Sequence, residues 1–147
     1  MGNFITSIKV NHIFHLENFC IPISENEKKH LIITGKNGSG KTILLNAIVE
    51  HLSKVCNDKT LSFLDYEKHL ESCRTRLQQY KVVGDSQKII SNQDSIELYK
   101  TWIEEVYGKV ELSFHDIYSI PKDFLSQDFI IAYYADERKS LFVEPKN

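Results

Sequence analysis

The first part of the chain alternates apolar and polar positions in two bursts, a pattern typical of strands with one buried face. The apolar positions are Ile5, Ile8 and Val10 in the first burst and Phe19, Ile21 and Ile23 in the second. After a polar connection, the run LIIT at 31–34 is apolar throughout, as in a strand buried inside an α/β sheet. The pattern predicts two antiparallel strands followed by one buried strand.

Further along, the hydrophobic period lengthens to three or four residues, which indicates helices. Apolar residues fall on one helical face over 41–56, and over 63–80 they are spaced 3, 4, 3, 4, 3. The same rhythm returns over about 94–107, after a turn-rich stretch around Gly84. The two later segments predict a helical hairpin over 62–107, either a reduced coiled-coil arm or a pair of core-packing helices.

Two more strands are predicted in the last third of the chain. KVELSF at 109–114 alternates apolar and polar positions, and FIIAYY at 129–134 is an apolar run like 31–34. The stretch between them contains Pro121 and is predicted to be a connection. Altogether the pattern predicts an α/β fold with an antiparallel N-terminal β-meander and an inserted helical hairpin.

The stretch GKNGSGKT, at 35–42, joins the predicted buried strand to the first predicted helix and fits the phosphate-binding pattern GxxxxGK[ST]. Its backbone N–H groups must converge on phosphate oxygens, and a side chain at a glycine position would block that approach. The residues predicted to bind the nucleotide are Gly35, Lys36, Asn37, Gly38, Ser39, Gly40, Lys41, Thr42 and Ile43. Lys41 is expected to reach the β- and γ-phosphates of ATP as a catalytic residue, and the Thr42 hydroxyl to ligate Mg²⁺. The alternative, a glycine-rich turn before a helix, does not explain the Lys-Thr pair.

The loop indicates a nucleotide but not a class of enzyme. The base-reading tetrapeptide NKxD of GTPases does not occur in the sequence. Small-molecule kinases usually begin with their phosphate-binding strand, whereas about thirty residues, mostly predicted antiparallel strand, come first here. This preamble is the feature that discriminates between small-molecule kinases and other classes of P-loop protein.

The N-terminal third resembles the ABC-type ATPases of the SMC and RecF-like group, which includes AAA-family ATPases of phage-defence systems. IKVNHIFHLENFCIPI and LIITGKNGSGKTILLNAI follow the group's order of strand, Asn-Phe-Arg element, second strand and GxNGxGK[ST] loop. The resemblance is clearest over 5–52, and Asn37 matches the asparagine of the loop. The Asn-Phe-Arg element corresponds either to residues 11–14 (Asn-His-Ile-Phe) or to 12–14 (His-Ile-Phe). Neither contains an arginine, so the nucleotide contact of that residue cannot be carried over.

This resemblance implies that 1–147 is a single but incomplete ATP-binding lobe. In the group, ATP lies between the phosphate loop of one head and a glycine-containing signature of another. The chain has six glycines, and none outside the loop stands in such a signature. We therefore expect a second head or a C-terminal lobe to supply it, ATP hydrolysis only in that completed state, and a role in DNA repair or phage defence with DNA as a partner.

Two other functions remain open. One is a small phosphotransferase, which should carry a lid with catalytic arginines; between Thr42 and Asp116 only Arg74 and Arg76 occur, on one predicted helix. The other is a nucleotide-sensing module that does not hydrolyse ATP. The basic residues of the hairpin are interleaved with acidic ones, which is more typical of a solvated face than of a DNA-binding one.

The run FIIAYYADERKS has three interpretations. As a Walker B motif, it would bring Asp136 to the Mg²⁺ and place the catalytic Glu137 beside the attacking water, with the strand next to 31–34. As the resembling group's arginine strand, it would carry Arg138 and leave the acidic pair to a later segment. As a solvated charge run, 136–139 would have no ligand.

Composition narrows the class of protein further. A net charge of -2 excludes a bulk polybasic nucleic-acid binder. No stretch approaches the roughly 20 apolar residues of a membrane span, so we expect a cytoplasmic protein without a membrane partner. Cys20, Cys56 and Cys73 form no CxxC pair, which indicates reduced thiols.

Overall fold

A three-stranded antiparallel sheet joins the segment before Ser62 to the segment after Val106, which together form the first of two compact units. The chain is represented by a computed structural model that describes residues 2–36, 38–134 and 140–142. β1 (Ile5–Ile13) is the central strand, with β2 (Leu16–Pro22) on one side and β3 (Val110–Phe114) on the other. Ile8 pairs with Ile21 of β2 and with Leu112 of β3. The predicted strand pair at the N-terminus and the α/β class are confirmed.

Helix α1 (Lys41–Asn57) packs against the three-stranded sheet, and the two together form the hydrophobic core of this unit. Val10 and Val110 pair across the sheet and are almost completely buried. Val55 of α1 is also fully buried, and α1 contacts both β3 and a short helix, α4 (Ile120–Leu125). The predicted one-sided apolar face of α1 is therefore the face that packs.

Helix α4 corrects the predicted connection between the last two strands. Pro121 lies in its first turn, where a helix needs no backbone N–H from the residue. Ile120 and Phe124 are both buried. The proline therefore starts a helix here instead of preventing one.

The predicted buried strand at 31–34 is also wrong. The segment forms no strand, and none of its backbone groups has a hydrogen-bond partner among the described residues. Ile32 is 83% exposed, and Leu31 is exposed as well. A strand of a parallel sheet needs neighbouring strands to pair its backbone and cover both faces. Both edges of β1 are already occupied by β2 and β3.

Near the C-terminus, only the second half of the predicted strand 129–134 forms one. β4 (Ala132–Tyr134) pairs antiparallel with β5 (Ser140–Phe142), a strand that the sequence pattern did not predict. No described strand pairs with 31–34, so the predicted neighbourhood of these two apolar runs in one sheet is not seen among the described residues.

The second compact unit, Ser62–Val106, contains most of two long helices. One 3₁₀ turn (Ser62–Asp65) leads into α2 (Tyr66–Val83), and α3 (Ser86–Tyr107) follows after a two-residue turn at Gly84. Gly84 has a φ of 75°, which a glycine adopts without strain. Helix α3 begins eight residues before the predicted position 94, because its first turn is held by the Asp85 carboxylate, which accepts the Lys88 N–H.

The two helices of this unit pack antiparallel along the predicted seam. Leu70 and Cys73 of α2 form a buried cluster with Ile96 of α3, and three partly buried side chains extend it: Leu77, Tyr99 and Ile103. The Asn92 side chain is buried and donates a 2.5 Å hydrogen bond to the Cys73 carbonyl. Among the described residues, no helix is long and apolar enough to cross a membrane.

Candidate functional site

The candidate site is the glycine loop, residues 35–42, which leads directly into α1. Gly38 and Gly40 have φ values of 80° and 90°, in the left-handed region that other residues rarely adopt. A Cβ on Gly35 would lie 2.8 Å from the Ser39 hydroxyl oxygen, so this position has no room for a side chain beside Ser39. The loop therefore uses its glycines for two reasons, backbone angle and close approach.

The start of α1 presents backbone donors without a competing side chain. The first helical hydrogen bond runs from the Leu44 N–H to the Gly40 carbonyl, at 2.9 Å. The N–H groups of Lys41, Thr42 and Ile43 precede that bond and have no partner inside the helix. No side chain of the described residues caps this end, and the first turn carries no acidic residue. These donors and the positive end of the helix dipole suit an anion.

The Lys41 side chain folds back into the loop that precedes it. Its Nζ donates to the carbonyls of Gly35, at 2.5 Å, and of Lys36, at 2.7 Å, and to the Ser39 hydroxyl at 3.2 Å. The Ser39 N–H also donates to the Lys36 carbonyl, at 3.1 Å. All of these acceptors are neutral, and an anionic phosphate oxygen is a stronger acceptor for an ammonium. Lys41 can therefore exchange loop carbonyls for a phosphate.

The structure brings several of the predicted site residues together, and others lie outside the part of the chain that it describes. Hydrogen bonds join the segment 35–36, Ser39 and Lys41, while Thr42 and Ile43 are exposed at the start of the helix. Asn37, Asp136 and Glu137 lie outside the described residues, as does Arg138, so the three interpretations of that run stay predictions. The described residues contain no group of three or more His, Cys, Asp or Glu side chains that could hold a metal ion.

Sequence reasoning gave no role to Phe14, whose ring lies at the loop. Phe14 follows β1 directly, is 63% exposed, and has a φ of 54°. Its Cδ2 atom lies 3.8 Å from the position a Cβ on Gly40 would occupy. A large aromatic residue in a two-residue hairpin turn, where glycine is common, is the sequence signal that marks it.

Fold and site define an α/β protein with a glycine-rich loop at the start of a core helix. The chain belongs to the family described as Nephrocystin 3, N-terminal, whose model matches residues 10–106, about two thirds of the sequence. This membership is consistent with a phosphate-binding-loop protein and does not support the relationship to ABC or SMC ATPases in particular. No curated protein and no solved structure matches the chain.

Proposed function

We propose that the chain binds Mg²⁺-ATP through the glycine loop, as the ATP-binding lobe of a P-loop ATPase. The observation that carries this proposal is the Lys41 ammonium held inside the loop by the carbonyls of Gly35 and Lys36. Nothing in the packing of the core requires a lysine there, because its three acceptors all belong to the loop itself. A side chain that only arranges its own loop is well placed to bind phosphate.

The surrounding donors fit the same ligand. The N–H groups of the first turn of α1, which have no partner inside the helix, belong to the same short segment as the Lys41 ammonium and the two left-handed glycines. In this proposal Lys41 neutralises the β- and γ-phosphates, and the exposed Thr42 hydroxyl ligates the Mg²⁺. A metal held there would supply neutralisation of phosphate charge and, in a completed site, activation of water.

The test is calorimetry of Mg²⁺-ATP binding with Lys41→Ala. Lys59→Ala is the matched control, since Lys59 is exposed beyond the end of α1 and its removal changes the net charge equally. We expect binding to be lost in Lys41→Ala and kept in Lys59→Ala. Wild-type affinity in Lys41→Ala would refute the proposal.

We further propose that a second ATPase head or a C-terminal lobe completes the site, as in the SMC and RecF-like ABC ATPases that residues 5–52 resemble. The support is a set of apolar side chains of the same unit that are exposed in this structure: Leu31, Ile32, Leu45 and Ile130. The first three also line a hollow in the first unit, together with Ile8 and Phe129. Apolar surface of this kind is usually covered by another segment or chain.

Two measurements test this finer proposal. The isolated chain should hydrolyse ATP slowly or not at all, and gel filtration should show association only with ATP and the completing head or lobe. Robust Lys41-dependent hydrolysis by the 147-residue chain alone would contradict it. A role in DNA repair or phage defence follows only if the completed protein acts on DNA.

The two arginines that a phosphotransferase would need are engaged within α2. Arg74 pairs with Glu71 at 3.4 Å, and Arg76 donates to the Ser72 carbonyl. This observation favours the nucleotide-sensing module as the second candidate. ATP binding without turnover, even with the completing partner present, would distinguish that candidate from an ATPase.

A further inference from the structure

Phe14 occupies a backbone position that disfavours it. Ile13 and Leu16 pair at the end of the β1–β2 ladder, so Phe14 and His15 form a two-residue hairpin turn. The positive φ of 54° at the first turn residue is a conformation for which glycine is the usual choice. A bulky aromatic residue with positive φ is strained, and such outliers cluster at binding sites.

The ring contributes little to the core. Phe14 is 63% exposed, whereas its neighbour Ile13, the last residue of β1, is buried in the core. No ring contact or cation contact joins Phe14 to another described residue. Contacts among the described residues therefore explain neither the strained backbone of Phe14 nor its exposed ring.

The location of the Phe14 ring beside the glycine loop explains both features. The Cδ2 atom lies 3.8 Å from the position of a Cβ on Gly40, so the edge of the ring rests against the last glycine of the loop. Gly40 directly precedes the backbone donors of Lys41, Thr42 and Ile43. A nucleotide with its phosphates on those donors would therefore have a solvent-exposed aromatic ring next to the glycine that precedes them.

We infer that Phe14 is the base-stacking residue of the nucleotide site, an inference that rests on the proposed function of the glycine loop. Every nucleobase has an aromatic face, so stacking on a phenyl ring depends little on base identity. The ring therefore selects nucleotides over inorganic polyphosphates, and not ATP over GTP. The exposed ring and the strained turn are then features of a binding surface.

The experiment compares two ligands, Mg²⁺-ATP and Mg²⁺-tripolyphosphate, which share the triphosphate and differ in the nucleoside. Calorimetry of wild type, Phe14→Gly and Phe14→Trp measures both affinities. Phe14→Gly should weaken ATP binding about 5- to 140-fold, the range expected from aromatic-base stacking, and leave tripolyphosphate unchanged. Phe14→Trp should retain ATP affinity.

Two controls make the result decisive. Glycine relieves the positive φ, so Phe14→Gly should unfold at a temperature equal to or above that of wild type. Tyr118→Gly removes another exposed ring of the same unit, one that is 77% exposed, and should leave both affinities unchanged.

Several outcomes would overturn the inference. ATP affinity that is unchanged in Phe14→Gly would show that the ring does not meet the base. An equal loss of both ligands would show that Phe14 shapes the loop instead. Lys41→Ala separates the two proposals, because it should abolish binding of both ligands; if wild type binds neither ligand, the proposed function fails, and stacking fails with it.

Discussion

The helical hairpin and the glycine loop treat their apolar and polar groups in opposite ways. In the hairpin, the apolar seam residues Leu70 and Ile96 are buried against each other, and the buried Asn92 amide has a partner. Around the loop, Ile32 is 83% exposed, and the first N–H groups of α1 have no helical partner. The hairpin sequence is explained by its own packing. The loop sequence is not explained by packing among the described residues, and this is why we propose a ligand for it.

The largest expected effect concerns the loop. Lys41→Ala removes an ammonium that forms charge-assisted hydrogen bonds, each contributing about 1.5–3 kcal/mol, so ATP affinity should fall at least roughly a hundredfold. Unfolding without ATP should change much less, because the hydrogen bonds of the Lys41 ammonium join mostly solvent-exposed loop acceptors and not the core. Thermal unfolding with and without Mg²⁺-ATP checks both statements: ATP should stabilise wild type and not the variant. A large loss of stability in the apo variant would show that Lys41 is a structural residue.

The second prediction contrasts buried with exposed apolar side chains. Leu70→Ala should lower the free energy of unfolding of the hairpin by about 2–5 kcal/mol, because Leu70 is 8% exposed and its removal leaves a cavity. Ile32→Ala should stay within about 0.5 kcal/mol of wild type. Urea denaturation followed by circular dichroism measures both. A comparable loss in Ile32→Ala would mean that the 31–34 segment is already packed.

The third prediction concerns the buried amide of the hairpin. Asn92→Ala removes the second donor of the Cys73 carbonyl, which lies inside α2, and should cost about 0.5–1.5 kcal/mol of stability, the usual net contribution of one hydrogen bond. Gln93→Ala, at the exposed neighbouring position of α3, is the control and should be nearly neutral. Equal stabilities of the two variants would show that the amide hydrogen bond contributes nothing net.

These contrasts also explain how much could be predicted from the sequence. The hairpin seam was predictable because its contacts join positions of two neighbouring helices with one regular period. The run 31–34 was predicted wrongly as a strand because an apolar run indicates burial and not which neighbours provide it. Helix α4 is not predictable from the pattern, because six residues are too few to show a period and a proline inside a segment usually indicates a break in a helix.

The site shows the same division. The glycine loop could be predicted because its eight contiguous residues carry the whole phosphate-binding pattern. The Phe14 contact could not, because it joins a hairpin turn to Gly40 through the tertiary fold. The carboxylates that would complete the metal site depend on distant strand order, which no local pattern fixes, and Asp136 and Glu137 stay predictions.

The fourth prediction is a pH effect in the core of the first unit. Burial raises the pKa of the Cys56 thiol from 9.0 to about 12. The folded state therefore holds this proton more tightly than the unfolded state. The contribution of the protonated thiol to the free energy of unfolding is fully present below pH 9.0 and is lost as pH rises toward 12. Denaturation of wild type and Cys56→Ala across that window should show a steeper alkaline loss in wild type. Parallel curves for the two proteins would contradict this assignment.

The smallest expected effect is at the turn before α3, where Asp85 has a lowered pKa. The cause is first the hydrogen bond from the Lys88 N–H and then the Lys88 ammonium, which lies 3.0 Å from the carboxylate. Because the pKa of Asp85 is lower in the folded state, the ionised carboxylate stabilises the fold above the ordinary pKa of 3.8. This stabilisation is lost as pH falls through the pKa of the folded state.

Asp85→Asn and Asp85→Ala separate the two causes at this turn. Asparagine keeps an oxygen that can accept the Lys88 N–H and removes the charge, whereas alanine removes both. At neutral pH we expect Asp85→Asn to be slightly less stable than wild type and Asp85→Ala to be less stable again, in urea denaturation followed by circular dichroism. Below pH 3.8 the difference between wild type and Asp85→Asn should shrink, and high salt should reduce it at neutral pH because this pair is exposed. If alanine were as stable as asparagine at neutral pH, the carboxylate would not cap α3, and the early start of that helix would need another cause.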